Sequence, residues 1–281
     1  AGASIASGGN NGVMIGHKAG TAVTTADDTI AIGANALASL TTGAQNIAIG
    51  ANALDAISGT SGIASNNIAI GPTAMSACDE DDETIDHNIA IGYNALFGGD
   101  LASTANDVRY NIAIGSLALD ATGTNGQTGT IAIGHQSLSA LTSGAGNVAV
   151  GYTALSAITT GDSNVAIGYG AADALEAGES HNIAIGRDAM HSWKEGNGTL
   201  DRNIAIGTNA FGGDDIASGG FSITDNIAIG YAALDAGGIN GAAHLGTIAI
   251  GTSALGALTT GDGNVAVGYT AGAALTDGQY N

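Results

Sequence analysis

The sequence predicts an all-β fold, a parallel β-solenoid of about fourteen coils, from three observations. A short apolar-Ala-apolar-Gly motif recurs fourteen times along the 281 residues. Successive motifs are separated by only 17 to 23 residues. Proline occurs once and aromatic residues make up 4%, which is too few for a large aromatic core. Repeats of this length cannot bury an apolar face alone, so stacked coils must cover one another.

Each coil is expected to begin with a strand that runs into a sharp bend. Ile47, Ala48 and Ile49 alternate β-branched and small side chains, a pattern that fits a pleated surface. Gly50 then supplies backbone freedom at the bend, and we call its equivalents the coil glycines. Ala53-Leu54 follows as a short strand or a single helical turn, before a turn such as Thr159–Gly161 closes the coil. The coil glycines are Gly16, Gly33, Gly50, Gly71, Gly92, Gly115, Gly134, Gly151, Gly168, Gly186, Gly207, Gly230, Gly251 and Gly268.

An asparagine stands four residues before the coil glycine in ten of the fourteen coils. At a coil corner its side chain can bond local backbone, and stacked copies can bond each other's amides. We therefore expect these corner asparagines to form a ladder. They are Asn46, Asn67, Asn88, Asn111, Asn147, Asn164, Asn182, Asn203, Asn226 and Asn264.

An alanine stands two residues before the coil glycine in every coil except the first, which has Met14. If the flanking Ile and Val residues point into the coil, this alanine column points outward. A solvent-facing position would vary, so its constancy predicts close packing against neighbouring copies of the chain. The expected trimer-interface residues are Ala48, Ala69, Ala90, Ala149, Ala166 and Ala184.

The full motif, Asn-(Ile/Val)-Ala-(Ile/Val)-Gly-x-x-Ala, resembles the head repeat of YadA-like trimeric autotransporter adhesins, a left-handed parallel β-roll. With the added Ala-Leu and Thr-Thr-Gly segments it also resembles repeats of viral tail fibres. The resemblance covers nearly the whole chain, although the adhesin repeat is shorter and more regular. It implies a homotrimer of left-handed β-roll coils, located outside the cell on a virion or cell surface.

The repeats predict a single solenoid over residues 1–281 that contains two six-coil blocks, roughly 17–134 and 135–251. The two blocks have nearly the same order of short and long coils, which indicates duplication of a whole segment. Asn281 falls where the corner asparagine of another coil would stand. We therefore expect the array to continue beyond both ends.

Long coils carry extra residues between the Ala-Leu segment and the next corner asparagine, and these insertions should stack on one side. Insertions on one face of a repeat array are often its binding face. The candidates for binding a host-cell glycan or protein are Phe97, Arg109, Tyr110, Trp193, Lys194, Arg202, Phe211 and Phe221. The alternative is that each aromatic ring only packs its own loop onto the coil.

Two histidines and five tyrosines share the position directly after the coil glycine, which we call the post-glycine column. The tyrosines are Tyr93, Tyr152, Tyr169, Tyr231 and Tyr269. Their rings are expected to lie along an outer edge of the solenoid, with a ladder that stacks on sugars as the alternative.

The net charge of −20 disfavours nucleic acid and anionic membrane surfaces as partners. No apolar stretch is long enough for membrane insertion. No cofactor is expected apart from Ca²⁺ or other cations, for which Asp79, Asp81, Asp82 and Asp86 are candidate ligands. A solvated acidic turn is the alternative for this segment.

No set of nucleophile, base and orienting residue recurs, so the chain is not expected to be an enzyme. The predicted function is a structural and adhesive element of an extracellular fibre, such as a viral tail fibre or receptor-binding shaft for host-surface attachment. The head of a bacterial trimeric autotransporter adhesin is the alternative. A tail-spike glycosidase, using paired Asp residues of the insertions, and an ice-binding solenoid are more distant alternatives.

Overall fold

The computed structural model describes residues 11–24, 27–55, 63–76, 84–98, 108–121, 127–192, 194–195, 199–213, 215–216, 222–235 and 244–281. These ranges form an all-β fold in which parallel strands stack as a β-solenoid, as predicted. None of them contains a helix long and apolar enough to cross a membrane. The chain divides into two compact units, Ala1–Gly146 and Asn147–Asn281.

In the first unit, one strand of each coil joins a main parallel sheet, and the long coils add strands to a second sheet. The strands are β1 (Val13–Ile15), β2 (Ile30–Ile32), β3 (Ile47–Ile49), β4 (Ile63–Ser65), β5 (Ile68–Ile70), β6 (Thr84–Asp86), β7 (Ile89–Ile91), β8 (Val108–Arg109), β9 (Ile112–Ile114), β10 (Gln127–Thr128) and β11 (Ile131–Ile133). β4, β6, β8 and β10 form the second sheet, which we call the side sheet, and the other strands form the main sheet.

The second unit repeats this arrangement. Its strands are β12 (Val148–Val150), β13 (Val165–Ile167), β14 (Ile183–Ile185), β15 (Lys194–Glu195), β16 (Thr199–Asp201), β17 (Ile204–Ile206), β18 (Asp215–Ile216), β19 (Ser222–Thr224), β20 (Ile227–Ile229), β21 (His244–Leu245), β22 (Ile248–Ile250) and β23 (Val265–Val267). β16, β19 and β21 form its side sheet, β15 pairs with β18, and the remaining strands form its main sheet.

The coils stack in register, so each motif position becomes a column. Ile47 pairs with Ile68 and Ala48 pairs with Ala69 in the main sheet. Every main-sheet strand therefore presents the same three-residue pattern to the same two faces.

The alanine column points into the coil, so the prediction that it packs against neighbouring chains is wrong. Ala48, Ala69, Ala90, Ala149 and Ala166 are completely buried within the single chain, and Ala184 is 1% exposed. The interior is narrow, because Leu side chains from the opposite side and the corner asparagines already fill it. Where such a Leu is present only a methyl group fits, so the larger Ile and Val residues of each strand face outward. Met14 fits in the first coil, where Gly20 stands at the position of the Leu.

The coil glycines are a backbone requirement, as predicted, and a close approach between coils adds to it. Their φ angles all lie between 130° and 147°, a region that side chains rarely allow. A Cβ added to Gly186 would lie 2.6 Å from the carbonyl oxygen of Gly207 in the next coil. A larger residue is therefore excluded by conformation and by contact.

The apolar pair that follows each coil glycine forms a tight turn, which settles the choice left between strand and helical turn. In the coil of Gly50, Asn52 and Leu54 have φ values of 55° and 52°. Ala53 and Leu54 are fully buried. Residues with left-handed backbone conformation at alternate positions thus turn the chain, and both apolar side chains point into the core.

The corner asparagines form the predicted ladder, and it is buried. Oδ1 of Asn46 accepts hydrogen bonds from the backbone N–H and from Nδ2 of Asn67, both at 3.1 Å. Nδ2 of Asn67 also donates to the backbone oxygen of Ile85 at 2.7 Å. Because the amides satisfy one another, the asparagines of this column are buried with their side chains hydrogen-bonded.

Short and long coils fill the same core in two different ways. In the short coil that ends at Gly50, Leu40 is buried and Gly43 lies close to the backbone of the next coil. In the long coils, Ile85 and Val108 of the side sheet are buried at the position equivalent to Gly43. Each side-sheet strand therefore contributes one residue to the core, and the residues next to it are partly exposed to solvent.

Candidate interaction surfaces

The main sheet of each unit carries an apolar stripe on its outer face, formed by the Ile and Val residues on either side of the alanine column. We call this the outer stripe. Ile167 is 40% exposed and Ile250 is 36% exposed, although both belong to β-strands. Soluble proteins rarely expose a continuous apolar strip of this kind unless another molecule covers it.

The post-glycine column forms one edge of the outer stripe, as predicted for its tyrosines. Tyr152 and Tyr169 stack with ring centroids 5.1 Å apart and planes 8° apart. The guanidinium of Arg187, in the next coil, lies 6.0 Å from the centroid of the Tyr169 ring. Asp188 pairs with Arg187 at 3.0 Å. Stacking covers the faces of the Tyr169 ring, so this ring offers its edge rather than its face to a ligand.

The residue directly before the corner asparagine forms the opposite edge of the outer stripe, and we call this the pre-asparagine column. His87 and Tyr110 stack there at a centroid distance of 5.2 Å, and Tyr110 is 57% exposed. In the second unit, Arg202 binds Asp225 with two hydrogen bonds, at 2.8 and 3.0 Å. These hydrogen bonds and the charge of Arg202 lower the pKa of the Asp225 carboxyl.

Some of the predicted receptor-binding residues lie in the side sheets or directly after their strands. Arg109 lies in β8 between Asp86 of β6 and Thr128 of β10. Asp86, a candidate metal ligand, accepts the backbone N–H of Ser65, the last residue of β4, at its Oδ1 at 3.1 Å. Tyr110 and Arg202, both in the pre-asparagine column, directly follow the side-sheet strands β8 and β16.

The other predicted site residues have different positions or lie outside the described ranges. Phe211 is completely buried, so its assignment as a receptor-binding residue is wrong. It occupies the core position that Leu54 fills in another coil. Phe97 is partly buried beside its turn, and Lys194 lies in β15. Trp193, Phe221, Asp79, Asp81 and Asp82 lie outside the described residues.

Three aspartates next to the core have pKa values shifted by their surroundings. Burial raises the pKa of Asp55, Asp120 and Asp173. For Asp173, nearby His191 lowers the pKa and Asp188 raises it, but burial has the largest effect. No group of three or more His, Cys, Asp or Glu residues that could hold a metal ion occurs in the described part of the chain.

Sequence reasoning missed the outer stripe because it assigned the larger apolar residues to the core. The sequence did contain a signal for this orientation, which was the constant small size of the alanine column. A column of methyl groups is expected in a narrow interior as well as at a close interface between chains. Searches against protein-family models, curated proteins and solved structures found no match to this chain.

Proposed function

We propose that the chain is a structural and adhesive element of an extracellular fibre, a viral tail fibre or receptor-binding shaft, and that it works as a homotrimer. The β-solenoid is consistent with a fibre or adhesin-like structural element. The adhesive role and the trimer are inferences from the surfaces described above, and the location outside the cell is an inference from the resemblance of the repeats.

The observation that carries the proposal is the outer stripe. Its residues repeat at each coil with the strand register of the main sheet, for example Ile183 above Val165 and Ile204 above Ile183. Neighbouring strands of a sheet lie about 4.8 Å apart, so the stripe has that repeat along its length. A partner that covers it continuously must present the same repeat, and another copy of this chain does so.

Parallel association around an axis covers the stripes of three chains at once. The side sheets then remain on the outside, away from the axis, because they lie on another face of each coil. Residues on a rigid sheet are well placed to bind a target. Arg109 and the side-sheet residues around it belong to this surface.

Lysine substitutions on the outer stripe test the proposal. Ile167→Lys with Ile185→Lys should leave the coil folded but convert the trimer to a monomer, because the interface cannot bury two unpaired charges. Ala177→Lys, at an exposed position whose backbone pairs with Thr160, adds a lysine away from the stripe; this control should stay trimeric. Analytical ultracentrifugation measures the mass. A parent protein that is monomeric at every concentration would overturn the assembly on which the proposal depends.

A further inference from the structure

The two edges of the outer stripe point to how neighbouring chains meet in the trimer, an inference that rests on the proposed function. The pre-asparagine and post-glycine residues of one coil are separated by six positions, with the outer-stripe strand between them. Tyr110 and Tyr231, one on each edge, are each 57% exposed. Each edge is therefore available to another chain when the stripe faces the trimer axis.

Symmetry decides which edges meet. When three parallel chains turn their stripes to a common axis, the strand direction is the same around the ring. The interface is then heterologous: the end of the strand in one chain meets the start of the strand in the next. A closed ring allows no axial shift between chains, so equivalent residues lie at the same height. The post-glycine residue of a coil must face the pre-asparagine residue of the same coil in its neighbour.

We propose that these two columns form the seams between neighbouring chains, in register coil by coil. The side-chain sizes support this pairing, because in several coils a large residue on one edge corresponds to a small residue on the other. The pairs are Tyr110 with Ser116, Gly129 with His135, Ser163 with Tyr169, Arg202 with Thr208, and Gly263 with Tyr269. The two residues of a pair lie beyond opposite ends of a three-residue strand, for example Val165–Ile167 for Ser163 and Tyr169, so contact within a chain does not explain the relation.

Polar chemistry supports the same pairing where the sizes do not alternate. In the coil of Gly230, the phenol of Tyr231 would meet the Asp225 carboxylate, which can accept its hydrogen bond. In the coil of Gly92, His87 would meet Tyr93, and two rings can stack or pack edge to face. The coils of Gly186 and Gly251 follow neither rule, since His181 would meet Arg187 and Gly246 would meet Thr252. Tyr110 then belongs to a seam between chains rather than to a receptor site.

Cysteine crosslinking tests the register. In a background with Cys78→Ser, Ser163→Cys and Tyr169→Cys are placed in the same chain. Ser163 already has a left-handed φ of 60°, and its replacement by Cys changes little. The strand Val165–Ile167 separates the two positions, which lie roughly 20 Å apart along an extended chain, whereas a disulfide needs Cα atoms within about 7 Å. Oxidation, or a short bis-maleimide, should therefore link different chains and give a covalent trimer on a denaturing gel.

Off-register pairs are the matched controls. Ser163→Cys with Tyr152→Cys, or with Arg187→Cys, moves one partner by one coil and should crosslink at least about fivefold less. Tyr110→Cys with Ser116→Cys repeats the test in the first unit, so the result does not depend on one variant folding.

Four outcomes overturn the inference. A native trimer that gives only monomers on the denaturing gel places the seams elsewhere and leaves the proposed function intact. Equal crosslinking by the off-register pairs removes the coil-by-coil register, and a ladder of ever larger species excludes a closed ring. A parent chain that sediments as a monomer overturns the proposed assembly together with this inference.

Discussion

The side-chain oxygen Oδ1 of Asn226 accepts a hydrogen bond from the backbone N–H of Thr247 at 2.9 Å, and the buried asparagine ladder is interrupted at this coil. The hydroxyl of Thr247 is itself buried and has no hydrogen-bond partner in the described part of the chain. The next coil carries Asn264, whose side chain continues the ladder to Asn281. One threonine thus separates two satisfied segments of the same column.

Thr247→Asn should join the two segments and stabilise the second unit. The new amide can bond Asn226 on one side and Asn264 on the other, so we expect a gain of about 1 kcal/mol in the free energy of unfolding. Chemical denaturation measures it. Thr247→Val is the control, because it removes the unpaired hydroxyl without adding an amide. A gain from Val as large as that from Asn would show that the ladder contributes nothing at this coil.

Asn203→Ala should be strongly destabilising, because Asn203 lies inside the ladder. Its amide donates to Asn182 Oδ1 at 3.2 Å and to the oxygen of Ile223 at 2.8 Å, and it accepts two donors of Asn226. Removing it leaves several buried groups unpaired, and we expect a loss of about 3 kcal/mol. Hydrogen exchange should show increased opening in the coils of Asn182 and Asn226. Exchange that changes only at the mutated coil would contradict a cooperative ladder.

Adjacent residues of β13 should respond differently to substitution by leucine. Ala166→Leu adds three carbons to a narrow, filled interior, so it should cost about 1–3 kcal/mol in the free energy of unfolding. Ile167→Leu on the outer face of the same strand should change the folding of the coil by less than about 0.5 kcal/mol. Thermal unfolding of both variants measures the difference. A benign Ala166→Leu would contradict the inward orientation of the alanine column.

Moderate acid should stabilise the fold. The pKa values of Asp55, Asp120 and Asp173 are raised above the ordinary value of 3.8, so the folded state holds these protons more tightly than the unfolded state does. As the pH falls from 7 towards 3.8, proton uptake therefore favours folding. The lowered pKa of Asp225 acts in the opposite direction, but only as the pH falls below the ordinary value.

Denaturation midpoints between pH 7 and pH 4 measure this effect. The triple variant Asp55→Asn, Asp120→Asn and Asp173→Asn should be more stable at pH 7 and should lose most of the pH dependence. A parent protein whose stability falls steadily from pH 7 would contradict the assigned direction.

The sequence predicted the stacking of coils, the coil glycines and the asparagine ladder because each depends on backbone geometry that repeats with the motif. The face of each strand was not predictable from alternation alone, since Ile47, Ala48 and Ile49 fit either orientation. Coil width decides it, and width depends on how Leu54 and the corner asparagine fill the opposite side. The burial of Phe211 was missed for a related reason. Phe97 and Phe211 both begin the sequence Phe-Gly-Gly-Asp, but Phe211 stands four residues after its coil glycine and Phe97 stands five after its own.

Removing the insertions should separate adhesion from assembly. Short coils fill the core with Leu40 and have Gly43 where long coils have a side-sheet residue such as Ile85. The segment that replaces each insertion must therefore carry its own core residue. In the grafted protein, Ser39–Gly43 replaces residues 56–64 and the equivalent segment of each other long coil. The grafted protein should fold and stay trimeric, because the outer stripe and the asparagine ladder are unchanged. Sedimentation and circular dichroism provide that control.

The grafted protein should lose at least about tenfold in binding to cells that the parent protein binds, because several weak contacts act together in a trimer. Binding at parental strength would place adhesion on the regular faces of the coils rather than on the side sheets and their insertions.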